Sequence, residues 1–117
     1  MAAPNIVNVA TITGKTAVLA ITNSATAIVT NSAASGKVFK VNALYVANVD
    51  GTTNYTVTVD IYRSTTAYRL AYQVVVPAGA TLDIISKAIY LEEGDAIRLL
   101  GSTTLKLEGV CSYEEIS

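Results

Sequence analysis

The sequence predicts an all-β protein, a single antiparallel β-sandwich with a jelly-roll-like arrangement of its strands. Apolar and polar residues alternate with a period of two along most of the chain. No segment shows a sustained helical period, and turn-forming residues recur about every 8–12 residues, which is the spacing of sandwiches and barrels. The same pattern fits an immunoglobulin-like sandwich, which is the alternative topology.

The N-terminal part of the chain predicts three strands. Residues 6–12, 17–22 and 27–30 are rich in β-branched and small residues and are separated by stretches of Ala, Ser, Thr and Asn. Gly14-Lys15 is predicted to be the tip of a β-turn between the first two. Only Lys15 is charged before residue 37, so residues 1–10 have an alternative role as an extended docking arm that adds a strand to a neighbouring subunit.

Residues 38–49 predict a longer strand with one apolar face. That face is formed by Phe39, Val41, Ala43, Tyr45, Ala47 and Val49. The opposite face is formed by Lys40, Asn42 and Asn48. Asp50-Gly51 follows, and because this pair favours tight hairpin turns, we expect the next strand to pair directly with this one.

Residues 55–63 show the clearest alternation in the chain. The apolar face is predicted to contain Val57, Val59 and Ile61. The polar face is predicted to contain Thr56, Thr58, Asp60 and Tyr62. This pattern is typical of a half-buried strand, and Tyr62, which faces away from the apolar side, is the best candidate for a surface contact.

The remainder of the chain predicts five more strands, at residues 67–76, 82–85, 88–91, 96–100 and 105–113. In the first of these strands, one face is predicted to contain Tyr68, Leu70, Tyr72, Val74 and Val76. Arg69 and Gln73 are predicted to lie on the other face. Because Tyr45, Tyr68 and Tyr72 are in phase with apolar residues, we expect all three to lie in the core. Cys111 lies in an alternating stretch and is predicted to be a buried small side chain.

One tetrapeptide, Thr13-Gly14-Lys15-Thr16, is spelled like the end of a phosphate-binding loop. That loop needs a glycine five positions before the Gly-Lys pair, where this chain has Val9. It also needs a helix after the motif, whereas residues 17–22 have the length and composition of a strand. We therefore expect no nucleotide site here.

Composition limits the classes of partner. The chain has 117 residues, enough for one domain spanning 1–117, with 51% hydrophobic and only 15% charged residues against roughly 25% in average domains. So little charge favours a homo-oligomer whose subunits cover one another. The net charge of -1 without a basic run excludes nucleic acid as an expected partner, and no apolar run is long enough to cross a membrane. The N-terminus lacks a secretory signal, so we expect a mature chain starting near Met1 and made in a cytoplasm.

The residue inventory predicts a protein that is not an enzyme. The chain contains no histidine, which removes the commonest general base and metal ligand. Its acidic residues are expected to be solvated at turns and strand edges. The densest acidic cluster, Glu92, Glu93 and Asp95, lacks the spacing and the ligand number of a calcium loop. We therefore predict no catalytic residues, no cofactor-binding residues and no metal-binding residues, and no cofactor.

Read from end to end, the chain resembles small structural proteins of tailed phages that infect marine cyanobacteria. The resemblance covers nearly the whole chain, and the residues that show it are MAAPNIVNVATITGKTA, VFKVNALYVANVDGTTNYTVTVDIYRS, VPAGATLDIIS, IYLEEGDAIRL and CSYEEI. The segment LEEGDAIRL also looks like the Leu-x-x-Gly-Asp turn of many trimeric jelly rolls. The family has no catalytic motif, so the resemblance implies a location rather than a reaction.

The resemblance implies a virion protein assembled in the host bacterial cytoplasm. The first expectation is a capsid decoration or cement protein that stabilises the shell, with the major capsid protein or another virion protein as its partner. The alternative is a tail or fibre module that binds a host-surface glycan, for which exposed aromatic and acidic side chains on loops would be needed. By analogy with phage decoration proteins, we expect a homotrimer.

Overall fold

A computed structural model describes residues 10–117 as nine β-strands, and none of these residues is helical. The predicted strand at 6–12 and the predicted docking arm at 1–10 therefore lie largely outside the described residues. The strands are β1 (Ile12–Ile21), β2 (Thr26–Thr30), β3 (Val38–Asn48), β4 (Tyr55–Arg63), β5 (Thr66–Val76), β6 (Thr81–Asp83), β7 (Ile89–Leu91), β8 (Ala96–Gly101) and β9 (Leu107–Ile116).

The strands form two antiparallel sheets that pack face to face. The first sheet has the order β1-β9-β3-β6, with β7 also pairing with β3, and the second has the order β2-β8-β4-β5. This interleaved order is that of a jelly roll, with β6 and β7 sharing one edge position. The predicted all-β sandwich is confirmed. The immunoglobulin-like alternative is not adopted, because β1 and β2 lie in different sheets.

The core lies between the sheets and consists of aliphatic side chains from both. Those without solvent exposure include Ile21, Val41, Leu44, Val46, Val57, Val59, Val76, Leu91, Ile97, Leu99 and Leu107. Burying one such side chain stabilises the fold by roughly 1.5–3 kcal/mol. The two sheets approach each other closely at Gly109, because a Cβ there would lie 2.5 Å from Cδ1 of Leu99 in the facing sheet.

A β-bulge in β3 changes which residues of this strand enter the core. The pairing of β3 with β9 shifts between Val41 and Ala43, which places an extra residue in β3 and reverses the alternation beyond it. Before the bulge Val41 is buried as predicted, but after it Leu44 and Val46 are buried and Tyr45 is 42% exposed. The predicted core position of Tyr45 is therefore wrong.

Asn48 is also buried, although the sequence pattern placed it outside. Its side-chain amide donates to the carbonyl oxygen of Thr53 at 2.8 Å and to that of Val76 at 3.0 Å. These bonds satisfy an amide that would otherwise be costly to bury. Asn48 thereby ties the end of β3, in the first sheet, to the end of β5 in the second.

The predicted hairpin at Asp50-Gly51 is wrong, because β3 and β4 lie in different sheets. The segment crosses between the sheets, and Asp50 is used to order it. The Asp50 carboxylate accepts hydrogen bonds from the backbone N–H and the hydroxyl of Thr52, at 2.9 and 2.8 Å, and from the Tyr55 hydroxyl at 2.9 Å. These bonds lower the pKa of Asp50 to about 2.

The predicted turn at Gly14-Lys15 is also wrong. Both residues lie inside β1, where Gly14 pairs with Glu114 and Lys15 pairs with Tyr113 without any break in register. The two strands predicted on either side of this turn therefore belong to one strand of 10 residues. A glycine can occupy an edge strand at modest cost in stability, so its presence did not signal a turn.

Strand β4 is more buried than its alternation predicts. Val57 and Val59 enter the core as expected, but Thr58 and Asp60 on the opposite face are buried as well. The Thr58 hydroxyl accepts from the backbone N–H of Gln73 at 3.1 Å, and Asp60 pairs with Arg98 at 2.9 Å. The outer face of this central strand is thus covered by polar contacts rather than by water.

The tyrosines of β5 lie at the surface and not in the core. Tyr68 is 58% exposed and Tyr72 is 62% exposed, because β5 is an edge strand whose register with β4 shifts twice. Gln73 in this strand has a φ of 50°, which breaks the alternation. Tyr62, in contrast, faces the outer surface of the second sheet as predicted, where its ring lies 3.9 Å from the guanidinium of Arg98.

The reversed alternation after the bulge generates a direct stability test. We expect Val46→Asp to lower the free energy of unfolding by about 3–5 kcal/mol, because it buries an unpaired carboxylate. Its neighbour variant Tyr45→Asp should remain within about 1 kcal/mol of the wild type. Urea denaturation at neutral pH measures both, and a greater loss in Tyr45→Asp would mean that the faces of β3 are assigned the wrong way round.

Candidate functional site

The acidic cluster of the β7–β8 turn is occupied by contacts within the chain. The Asp95 carboxylate accepts hydrogen bonds from the guanidinium of Arg63, with Nε at 2.8 Å from Oδ1, and from the backbone N–H of Glu92 at 2.8 Å. Glu92 also accepts from Arg63 at 2.9 Å, and Glu93 accepts from the backbone N–H of Gly36 at 3.0 Å. This cluster closes one end of the sandwich.

Asp95 is ionised despite its burial. Removal from water opposes ionisation, but the hydrogen bonds from Arg63 and from the Glu92 backbone outweigh this effect and lower the pKa of Asp95. Asp95 and Asp60 are 2% and 4% exposed. The expectation that all acidic residues are solvated is therefore wrong for these two, each of which is neutralised by an arginine.

A second ion cluster lies on the inner side of the first sheet near the start of β1. The Glu115 carboxylate accepts from Lys37 at 3.0 Å and contacts Lys15 at 3.2 Å. The ring of Tyr113 packs beside it against Phe39, with centroids 5.4 Å apart. Lys15, the residue that suggested a phosphate-binding loop, is thus an ion-pair partner of Glu115.

Within residues 10–117, no three acidic or cysteine side chains are grouped so that they could hold a metal ion. The described part of the chain also contains no helix long and apolar enough to span a membrane. The structure does bring exposed apolar residues together, on the outer surface of the first sheet.

Three exposed apolar residues form a row across the first sheet, which we call the apolar row. Val18 in β1 lies opposite Val110 in β9, and Val110 lies opposite Tyr45 in β3. Their exposed fractions are 75%, 37% and 42%. Beside the row lie small uncharged residues on the same face, namely Thr16, Ala20, Ala43, Ala47 and Ser112.

Sequence reasoning missed the apolar row because its members are far apart in the chain. Cross-strand neighbours can be identified only when the register is known, and the bulge in β3 moves Tyr45 to the outer face. The available signal was the alternation of β9, in which Val110 lies out of phase with Cys111. The row is rimmed by Asp83, which pairs with Tyr45, and by Glu108, which pairs with Ala20.

A second exposed region lies on β5 in the second sheet. Tyr68 lines a shallow pocket together with Ile61 and Arg63. The guanidinium carbon of Arg69 lies over the ring of Tyr72, at 5.4 Å from the ring centroid. These aromatic rings lie on a strand and not on loops.

Cys111 is fully buried in the core, as the sequence predicted. Burial raises the pKa of its thiol to about 11, because the thiolate would lose its hydration. Since the thiolate is the reactive form, we expect the Cys111 side chain to be unreactive at neutral pH. It is also the single cysteine of the sequence.

Comparisons with known proteins identify similarity in fold alone. No protein-family model and no curated protein matches this chain. Among solved structures, this chain is similar to a protein chain described with the words "Bacillus endospore appendages form a novel family of disulfide-linked pili". The identity is 18%, the TM-score is 0.53, and the match covers 92% of this chain and 88% of the other.

The ion pair at Asp95 predicts a pH-dependent contribution to stability. We expect Asp95→Asn to lower the free energy of unfolding by about 1–2 kcal/mol at pH 7, since Arg63 is partly exposed. Because the pKa of Asp95 is lower in the folded chain, this contribution is present above pH ~4. It is lost as the pH falls through the folded-state pKa, where wild type and variant should converge.

Chemical denaturation between pH 2 and 7 measures this difference, and Glu92→Gln is the matched control. Glu92 contacts the same arginine, but its side chain is 68% exposed, so its loss should cost less than about 0.5 kcal/mol. Equal losses in the two variants, or a difference that does not change with pH, would contradict the assignment.

The buried thiol predicts slow modification. At pH 8 the native protein should react with a thiol reagent only as fast as the chain opens, and denaturant should make the reaction immediate. The measurement is the absorbance of the released chromophore over time. Reaction within seconds in the native state would show that Cys111 is accessible.

Proposed function

We propose that this chain is a non-enzymatic structural protein of a phage particle and acts as a capsid decoration protein that stabilises the shell. The observation that supports this proposal is the apolar row, which small uncharged residues flank and Asp83 and Glu108 rim. Contiguous exposed apolar surface is typical of a site that contacts another protein. In this proposal the partner is the major capsid protein or another virion protein, and the chain is assembled in the host cytoplasm.

The geometry of the apolar row suits a broad and rigid contact. Its residues stand on three neighbouring strands, so their relative positions are fixed by the backbone hydrogen bonds of the sheet. A tyrosine beside two valines provides a wide apolar surface with a polar hydroxyl at the rim. A partner that contributes apolar side chains would exclude water there without having to neutralise any charge on the row.

The fold similarity to a subunit of Bacillus endospore pili supports a structural role for this chain. Those pili are disulfide-linked, whereas the single cysteine of this chain is buried. Attachment of this chain to its neighbours would therefore depend on non-covalent contacts. That requirement is consistent with attachment through the apolar row.

A tail or fibre module that binds a host-surface glycan is the second candidate. The observation in its favour is the pair of exposed tyrosines on β5, one of which lines a pocket with Arg63. Aromatic rings beside a charged group can bind the apolar face of a sugar and its hydroxyl groups. In this alternative the contact surface would be the second sheet and not the apolar row.

Copy number and directed variants separate the two candidates. In purified particles of the phage that encodes this chain, a decoration protein should be present in hundreds of copies, whereas a tail module would be present in a dozen or fewer. Quantitative mass spectrometry of the particles, with the major capsid protein as reference, measures this ratio.

The matched variants are Tyr45→Lys on the apolar row and Tyr72→Lys on β5, which exchange two exposed tyrosines, 42% and 62% exposed, for the same charge. Added to shells that lack the protein, Tyr45→Lys should bind at least about tenfold more weakly, which corresponds to about 1.4 kcal/mol. Tyr72→Lys should bind like the wild type. The reverse result, or a low copy number, would contradict the decoration role.

A further inference from the structure

The edge of β1 is the one long and regular strand edge among the described residues. Along all 10 residues, β1 pairs with β9 without a register shift, and within residues 10–117 no strand pairs with its other side. The other edges are short or irregular. β2 has five residues and a register shift, β6 and β7 have three residues each, and β5 is interrupted by its bulges.

The backbone groups on this edge can be assigned from the ladder. Thr11 and Ser117 exchange two hydrogen bonds of 2.9 Å, so the odd-numbered residues of β1 bond to β9, because antiparallel pairs alternate. The N–H and C=O groups of the even-numbered residues point to the open side. These residues are Ile12, Gly14, Thr16, Val18 and Ala20.

We propose that the open edge of β1 pairs with the β1 edge of a second copy of this chain, antiparallel and centred on Thr16. In this register Thr16 lies opposite Thr16, Val18 lies opposite Gly14, and Ile12 lies opposite Ala20. All of these are residues whose backbone groups point outward, so each facing pair can exchange two hydrogen bonds. The result is a two-fold dimer in which two first sheets form one continuous sheet.

Side-chain size supports this register. Val18 is 75% exposed and Ile12 is 56% exposed, and in the pairing each faces a small residue of the other copy. Nothing lies within 4 Å of a Cβ built on Gly14, so the space beside Gly14 is open for a valine. A register moved by one pair would instead place Ile12 against Val18 and Gly14 against Thr16.

Charge and chain direction are compatible with the same pairing. Lys15 is the single charged residue of β1 and forms an ion pair with Glu115 at 3.2 Å. In this register it faces Ala17 of the other copy, so no like charges lie directly opposite each other. Ala10 donates its backbone N–H to Ser117 at 2.9 Å and would lie opposite Thr22, beyond the end of the other copy's β1. The pairing therefore uses none of residues 1–9.

Most of the usual protections of an exposed edge are absent from β1. Natural edge strands commonly contain a proline, a bulge or charges, or are very short. β1 has no proline and no bulge, is 10 residues long, and has one charge, Lys15, which is paired with Glu115. The pairing also joins the apolar rows of two copies into one surface. The inference does not depend on which particle the protein belongs to, because it concerns two copies in solution.

Oligomeric state is the first test. Sedimentation velocity of the full chain at micromolar concentrations should show a dimer in rapid or slow exchange with monomer. A monodisperse monomer throughout this range would overturn the proposal. So would a trimer, the state expected by analogy, because a two-fold pairing of single edges stops at two copies.

A charge-free swap tests the register. Gly14→Val alone places two valines opposite each other, and Val18→Gly alone leaves a gap, so each should weaken dimerisation by at least about tenfold. The double variant Gly14→Val with Val18→Gly restores a large residue opposite a small one, and its dissociation constant should return to within about threefold of the wild type. Additive weakening in the double variant would overturn the register.

Cross-linking supplies a second readout that does not depend on affinity. Thr16→Cys places two thiols on a facing pair about 5.5 Å apart between Cα atoms, within the range of a disulfide, and mild oxidation should give covalent dimer. The control Thr13→Cys would lie opposite Leu19 and should give none. Equal yields from both variants would overturn the proposal.

Deletion of residues 2–9 distinguishes the competing occupant, which is the N-terminal segment of another copy. The truncated chain should dimerise with the same dissociation constant as the full chain, with circular dichroism confirming an unchanged β signal. Loss of the dimer in the truncated chain would overturn β1 self-pairing and assign the edge to the N-terminal segment.

Discussion

Backbone hydrogen bonding through β9 is the constraint on which the rest of the molecule depends. β9 lies between β1 and β3 and uses alternate residues toward each of them. This arrangement fixes the register that aligns Val18, Val110 and Tyr45. It also leaves β1 with a partner on one side only, so the same ladder creates both the apolar row and the open edge.

Besides the apolar core, polar contacts at the ends of the sandwich hold strands and turns together. Asn48 joins the two sheets at one position through its amide, and the ion pair between Arg63 and Asp95 joins the end of β4 to the β7–β8 turn. In the described chain, no buried side-chain nitrogen or oxygen lacks a hydrogen-bond partner. Many of the charged residues form ion pairs within the chain, and the apolar row itself contains no charge.

Local alternation was sufficient to predict most of the strands but not their neighbours. Residues 55–63 were placed correctly as β4, and Val57 and Val59 enter the core, because the period of two is visible within a few residues. The bulge after Val41 has no such local signal, so the faces of β3 were reversed beyond it. Asp50-Gly51 has the chemistry of a turn, but which strands a turn joins is decided by the whole sandwich. The buried state of Asp60 and Asp95 likewise depends on arginines that are distant in sequence.

The pairing of Ile12 with Ile116 has a consequence for biosynthesis. β1 precedes β9 in chain order, so β1 leaves the ribosome before its partner does. At translation rates of roughly 5–20 residues per second, β1 would wait for several seconds with both edges unpaired. Such long-range pairing also slows folding relative to helical proteins of similar size. Nascent chains on one polysome would thus expose unpaired β1 strands at the same time. Early pairing of β1 between these chains would compete with folding of the complete jelly roll.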